Sequence, residues 1–169
     1  ASITTDRFGA AAKAYNFDGV NDHIDLTSTQ VAAAGNSARS IFLWVKTTQT
    51  ASHALFCSGT AADAQRFNLY NMNPGTPGVV GVMGFEMPGD TTDYYPAAGT
   101  QYNDGAWHLV GVTYDGNGVL KTYVDGVLDN TASRSYATAG QDNYIGVKNH
   151  AGLHHFFSGA IDDVRIYNR

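Results

Sequence analysis

Trp107-His-Leu-Val-Gly-Val-Thr-Tyr-Asp-Gly-Asn-Gly-Val-Leu-Lys-Thr-Tyr-Val-Asp-Gly-Val-Leu128 carries the clearest structural signal in the chain. Trp107–Tyr114 is rich in β-branched and aromatic residues and stops at Asp115-Gly116. Val119–Val124 and Val127–Leu128 flank Asp125-Gly126, a strong short-range hairpin signal because the turn needs residues that tolerate positive φ. The same grammar runs outward in both directions. Ala14–Phe17 and His23–Leu26 flank the turn Asp18–Asn21. Ser40–Lys46, Ala54–Cys57, Arg66–Tyr70 and Val79–Phe85 follow, and Asn143–Val147 and Phe156–Tyr167 close the set. Ser40–Lys46 is apolar on both faces and reads as a central strand between two layers. Glu86–Ala106 is too polar for core and too long for a simple hairpin, so it is expected to form an edge strand and an ordered loop. Gln30–Ala34 offers one helical turn at best.

Composition agrees. The 169 residues suffice for one domain with its own core. Ten Tyr, eight Phe and nineteen Gly favour pleated sheets and many turns. Glu86 is the only Glu, against fourteen Asp, and Lys is scarce, which argues against helices with charged outer faces. The pattern predicts an all-β protein, an antiparallel two-sheet sandwich or jelly roll. A net charge of −5 gives no footprint for nucleic acid, and no apolar run approaches the ~18 residues of a membrane-spanning helix. The lone Cys57 excludes an internal disulfide framework and reads as a small core hydrophobe. The chain opens on a polar stretch without signal-peptide character and ends at Arg169, as a mature protein or an excised module would.

Several segments, in this order, resemble the concanavalin A-like lectin/glucanase superfamily, and in particular its laminin G-like, pentraxin-related bacterial modules. They are Asp6–Gly9, Ala14–Asp25, Ile41–Thr47, Trp107–Gly116, Thr122–Gly126, Tyr144–Gly146 and Gly159–Arg169. The resemblance implies a jelly roll of two curved sheets with the first and last strands adjacent, a secreted or cell-surface location, and frequently a structural calcium ion. It also implies a module appended to a carbohydrate-active enzyme or adhesin that recognises a polysaccharide or cell-surface glycan. A structural or adhesive protein-interaction domain is the alternative, and a glycoside hydrolase or lyase a third.

Glycoside hydrolysis needs two carboxylates ~5–9 Å apart across a sugar bond. Glu86 stands in Gly84-Phe-Glu-Met-Pro88, which does not match the family's catalytic strand. Asp162 and Asp163 are consecutive, and a regular strand would point them to opposite faces. No catalytic residue is therefore expected. Calcium takes six to eight oxygens. Asp18 and Asp22 supply carboxylates within one turn, and Asp162 joins them if the terminal strands pair as the resemblance implies, making Asp18, Asp22 and Asp162 the expected calcium ligands. The competing reading has Asp18 and Asn21 closing Asx turns and Asp163 pairing with Arg165. For a ligand, Trp44 and Trp107 lie in apolar strands and read as core. The loop residues Tyr94, Tyr95 and Asp93, with Tyr70, His150 and His154, are the expected binding residues.

Overall fold

A computed structural model describes residues 1–26, 34–60, 65–71, 81–84, 96, 98–140, 143–149 and 152–169. Fourteen strands run through them: β1 (Ser2–Thr4), β2 (Ala14–Asp18), β3 (Ile24–Leu26), β4 (Arg39–Lys46), β5 (His53–Ser58), β6 (Phe67–Asn71) and β7 (Met83–Gly84), then β8 (Trp107–Tyr114), β9 (Val119–Val124), β10 (Val127–Ser133), β11 (Asn143–Ile145), β12 (Lys148–Asn149), β13 (Leu153–His154) and β14 (Ser158–Tyr167). Among the described residues there is no helix; most of the segment Gln30–Ala34 lies outside them.

Two antiparallel sheets make the sandwich. One has seven strands in the order β1-β2-β14-β4-β8-β9-β10, the other five in the order β3-β11-β5-β6-β7. The last strand lies between β2 and β4, so it pairs with Ala14–Asp18, the first strand read from the sequence, as expected, and the short β1 adds at the sheet edge. The turn Asp18–Asn21 does not close a hairpin, because β2 and β3 belong to different sheets. Residues 98–106 contain no strand, and most of the remainder of the expected edge strand lies outside the described residues.

The sequence alternation on β4 sets the layers. Ile41, Leu43 and Val45 are at most 1% exposed and meet Leu55, Phe56 and Leu69 of the facing sheet in one hydrophobic cluster. Every residue of β5 and β6 is buried, so that sheet is covered on both faces there, whereas β3 and Tyr144 of β11 are partly exposed. The hairpin β12–β13 lies against β5, tied down by the Ala54 N–H donating to the His155 carbonyl at 3.0 Å. Cys57 is fully buried. The outer face of the seven-stranded sheet is different. Its residues Phe42 and Trp44 are half-buried and Lys46 is exposed.

Candidate functional site on the outer face of the seven-stranded sheet

Strand register arranges this face in rows. Asn16, Ala160, Lys46 and Trp107 form the first, and Asp162, Trp44 and Leu109 the second. Arg165, Phe42, Gly111 and Tyr123 form the third, and Tyr167, Ser40, Thr113 and Lys121 the fourth. Residues directly opposite across antiparallel strands share a face. Both tryptophans therefore stand on the outside of the sandwich, half-buried, and not in the core as their apolar neighbours suggested. The telling sequence signal is that β4 alternates aliphatic with Ser, aromatic and Lys residues. The aliphatic set alone is the inward one.

Glycine shapes the aromatic surface. A side chain at Gly111 would place its Cβ 2.1 Å from the Phe42 ring, so the ring lies across β8 where no side chain stands. It reaches Tyr123 on β9 at 6.0 Å between centroids. The small Ala160 similarly leaves a hollow between Asn16 and Lys46. Two depressions result. The first, about 470 Å³, is lined by Asn16, Lys46 and Trp107 together with Thr4, Thr5, Thr47, Thr48 and Ser158, a hydroxyl-rich wall beside an indole. The second, about 500 Å³, has Phe42, Trp44 and Leu109 among its lining residues, with Arg7, Arg165, Arg169 and Asp163.

Between them Arg7 lies over Trp44, its guanidinium carbon 5.0 Å from the indole centroid. It donates to Asp162 Oδ2 at 2.5 Å and to Asp163 Oδ2 at 3.3 Å. The two consecutive aspartates reach one partner because β14 is bulged. Asp162 pairs with Trp44 and Arg165 with Phe42, so Asp163 and Val164 together oppose Leu43. Asp163 takes φ 48°, the left-handed conformation that an Asp tolerates better than most residues. The alternation is reset at that point, and Asp162, Arg165 and Tyr167 all face outward. This corrects the assignment of Asp162 and Asp163 to opposite faces. Asp163 pairs with Arg165 as expected, Nε to Oδ1 at 3.0 Å and Nη2 to Oδ2 at 2.8 Å. The Arg165 hydrogen bonds, with Arg7 adding to them, hold the Asp163 carboxyl below its ordinary value.

The expected calcium set is not assembled. Asp18 pairs with Ser158 across β2 and β14, and Asp162 stands four residues further on, roughly 13 Å along the strand. Asp18 Oδ1 accepts the N–H groups of Val20, Asn21 and Asp22 at 2.8, 3.1 and 3.2 Å, the Asx-turn arrangement, and these bonds lower its pKa. Asp22 Oδ2 accepts from the Asp18 N–H at 3.1 Å. Asp162 belongs to Arg7. These three residues do not fit a shared calcium ion, and among the described residues no group of three His, Cys, Asp or Glu side chains is placed to hold a metal.

Of the expected ligand residues, Asp93, Tyr94, Tyr95 and His150 lie outside the described residues, as does Glu86. Tyr70 is 8% exposed, with its ring edge-on to His155 at 5.6 Å and under Lys148 Nζ at 5.7 Å, so it offers no open face. His154 is half-buried on β13 against the His155 ring. Tyr70 and His154 thus meet the same histidine beneath the β12–β13 hairpin, away from the tryptophan face.

Comparison with known proteins gives the family. Among curated proteins none matches the chain. The fold is similar to domains LG4-5 of the mouse laminin α1 chain, with a TM-score of 0.70 and 16% identity over 100% of this chain, which spans 46% of that one. It is similar to the CBM40 of the Ruminococcus gnavus IT-sialidase bound to α2,3-sialyllactose, with a TM-score of 0.68 and 22% identity over 93% of this chain and 90% of that chain. It is also similar to domain 4 of AbnA, a GH43 extracellular arabinanase from Geobacillus stearothermophilus, in complex with arabinotriose. There the TM-score is 0.65, with 22% identity over 99% of this chain and 81% of that chain. A laminin G family model, described as the concanavalin A-like lectin/glucanases superfamily, matches residues 18–169. The chain belongs to the concanavalin A-like lectin/glucanase superfamily, as a laminin G-like module.

Proposed function

We propose that this is a non-catalytic carbohydrate-binding module whose glycan lies on the outer face of the seven-stranded sheet. The observation that carries the reading is the tryptophan face itself. Trp107 borders an open depression whose walls supply hydroxyl, amide and ammonium groups, and Trp44 borders a second in which the Arg7 guanidinium lies over its ring. Sugar rings present C–H faces that stack on aromatics and hydroxyls that need fixed hydrogen-bond partners, and this surface offers both. The similarity to a sialidase module and an arabinanase domain solved with saccharides supports the reading. An extracellular location, beside a catalytic or adhesin domain that the module brings to its polysaccharide, follows from the same reading.

Affinity electrophoresis through gels containing arabinan, xylan, laminarin or pectin tests the proposal. At least one polymer should retard the protein. Trp44→Ala and Trp107→Ala should each weaken that retardation by at least about tenfold with near-ultraviolet ellipticity otherwise retained. A protein-interaction domain would migrate unretarded in every gel. A hydrolase would release reducing ends.

A further inference from the structure

We infer that His108 is a positioning residue for the first depression: bridging Asp104 and Asp125 as an imidazolium, it holds the turn that carries Trp107, so glycan retention is strongest in mildly acidic solution and falls as the solution becomes alkaline. The inference rests on the glycan-binding reading and names its regulation. His108 stands on β8 between Trp107 and Leu109, which belong to the outward rows. Its register partner is the inward Val45, so it points to the opposite face of the sheet from Trp107. There its Nδ1 lies 2.8 Å from Asp125 Oδ2 and its Nε2 lies 3.0 Å from Asp104 Oδ1. Both aspartates fasten backbone as well. Asp104 Oδ1 accepts the Ala106 N–H at 2.7 Å, and Asp125 Oδ1 accepts the Leu109 N–H at 2.9 Å. Gly105, in the turn between Asp104 and Ala106, donates its N–H to the Thr47 carbonyl at 2.9 Å. Gly105, Thr47 and Trp107 all line the first depression. The clamp behind the sheet therefore fixes part of the wall in front of it.

The clamp needs the proton. An ionised carboxylate only accepts hydrogen bonds, and a neutral imidazole carries a single N–H. Neutral His108 satisfies one aspartate and turns a lone pair toward the other, whereas the imidazolium donates to both. Burial works against the charge, but the hydrogen bonds and charges of Asp125 and Asp104 outweigh it and raise the His108 pKa above its ordinary value. The Ala106 N–H and then His108 hold the Asp104 carboxyl below its own. Among the described residues these two aspartates are the charged groups that act on His108. On β4 it meets Val45, and Lys46 stands in the outward row beside Trp107. A raised folded pKa means that the clamp contributes fully below the unfolded value of about 6.5 and is lost as pH rises through the folded value above it. Its loss withdraws one of the supports of the Asp104–Ala106 turn.

The test has a readout that needs no ligand. Trp44→Phe leaves Trp107 as the single tryptophan, so emission reports the first depression directly. Followed from about pH 5.5 to about pH 8.5, that emission should change in one step with a midpoint above about 6.5. Adding His108→Gln should remove the step although the other histidines remain. Adding Asp104→Asn instead should move the midpoint downward, because a neutral imidazole then has only one carboxylate to satisfy. Affinity electrophoresis of the unaltered protein through arabinan, xylan and laminarin gels, each against a polymer-free gel at the same pH, should show retention about fivefold or more weaker at the alkaline end. His108→Arg, a permanent cation that donates to both carboxylates, should keep its acid-side retention at the alkaline end. An emission profile without a step, a step that survives His108→Gln, or retention independent of pH would each overturn the inference and leave the glycan-binding reading standing. Retention by no polymer at either pH would overturn both.

Discussion

His53 shows how one buried side chain couples the stability of the fold to pH. It is fully buried on β5, its ring 5.1 Å from Phe157 and its Nδ1 bonded to the Ala51 carbonyl at 2.9 Å. Burial pushes its pKa down to about 4, because the charged imidazolium would lose its hydration there. A histidine whose folded pKa is depressed takes up its proton first in the unfolded chain. Its contribution is complete above the unfolded value of about 6.5 and disappears as pH falls toward about 4. The shift corresponds to roughly 3 kcal/mol over that window. Urea denaturation at several pH values should show wild-type stability falling across it, and His53→Leu should fall by distinctly less. Equal slopes would show that other groups govern acid unfolding. The sequence could not announce this histidine, since His53-Ala-Leu-Phe-Cys57 gives no sign of which layer lies over its first residue.

At the scale of elements, the β14 bulge and the β8 glycine build the candidate site. The bulge turns a closing strand into a latch for the segment before β2. Arg7→Ala removes the bonds to Asp162 and Asp163 and the stacking on Trp44, and leaves two neighbouring carboxylates without that partner. A loss of roughly 1–2 kcal/mol is expected, a few degrees in melting temperature for a domain of this size. Thermal melts should show the same loss in calcium and in EDTA, because Asp162 serves an arginine. A loss seen only in calcium would restore the carboxylate cage. Gly111→Val places a side chain where Phe42 lies, with a Cβ 2.1 Å from the ring. Overpacking of this kind costs about 1–3 kcal/mol. Here it should also dislodge Phe42 from Tyr123, weakening glycan retention in proportion.

These elements were unequally legible. Trp107–Tyr114 and Val119–Val124 occupy the residues expected from their composition, because β-branched and aromatic runs ended by Asp-Gly leave little choice. The bulge was not legible. Alternation assigns faces only while the count of residues is regular, and one extra residue at Asp163 reverses every face beyond it. Trp44 was misread for a related reason. An apolar residue on an outward row is indistinguishable from core until the covering layer is known, and that layer lies over β5 and β6 rather than over β4. The Asp18 turn was read in two ways. Its three backbone bonds are the Asx-turn one, and the sheet register separates it from Asp162.

For the whole molecule, the division of labour between the sheets is the central feature. The five-stranded sheet is buried on both faces through β5 and β6, and the seven-stranded sheet presents its aromatic rows outward. Among the described residues the outer face of the seven-stranded sheet is the broad one left open beside the covered β5 and β6, and the chain's two tryptophans both stand on it. Tryptophan emission, excited selectively over the ten tyrosines, consequently reports on this face alone. The decisive measurement is a tryptophan emission titration with an oligosaccharide from whichever polymer retards the protein. A saturable change in intensity or wavelength is predicted, with the same dissociation constant as calorimetry and a reduced amplitude in Trp44→Phe. Saturable binding by calorimetry with unchanged tryptophan emission would place the glycan elsewhere on the fold and contradict the account.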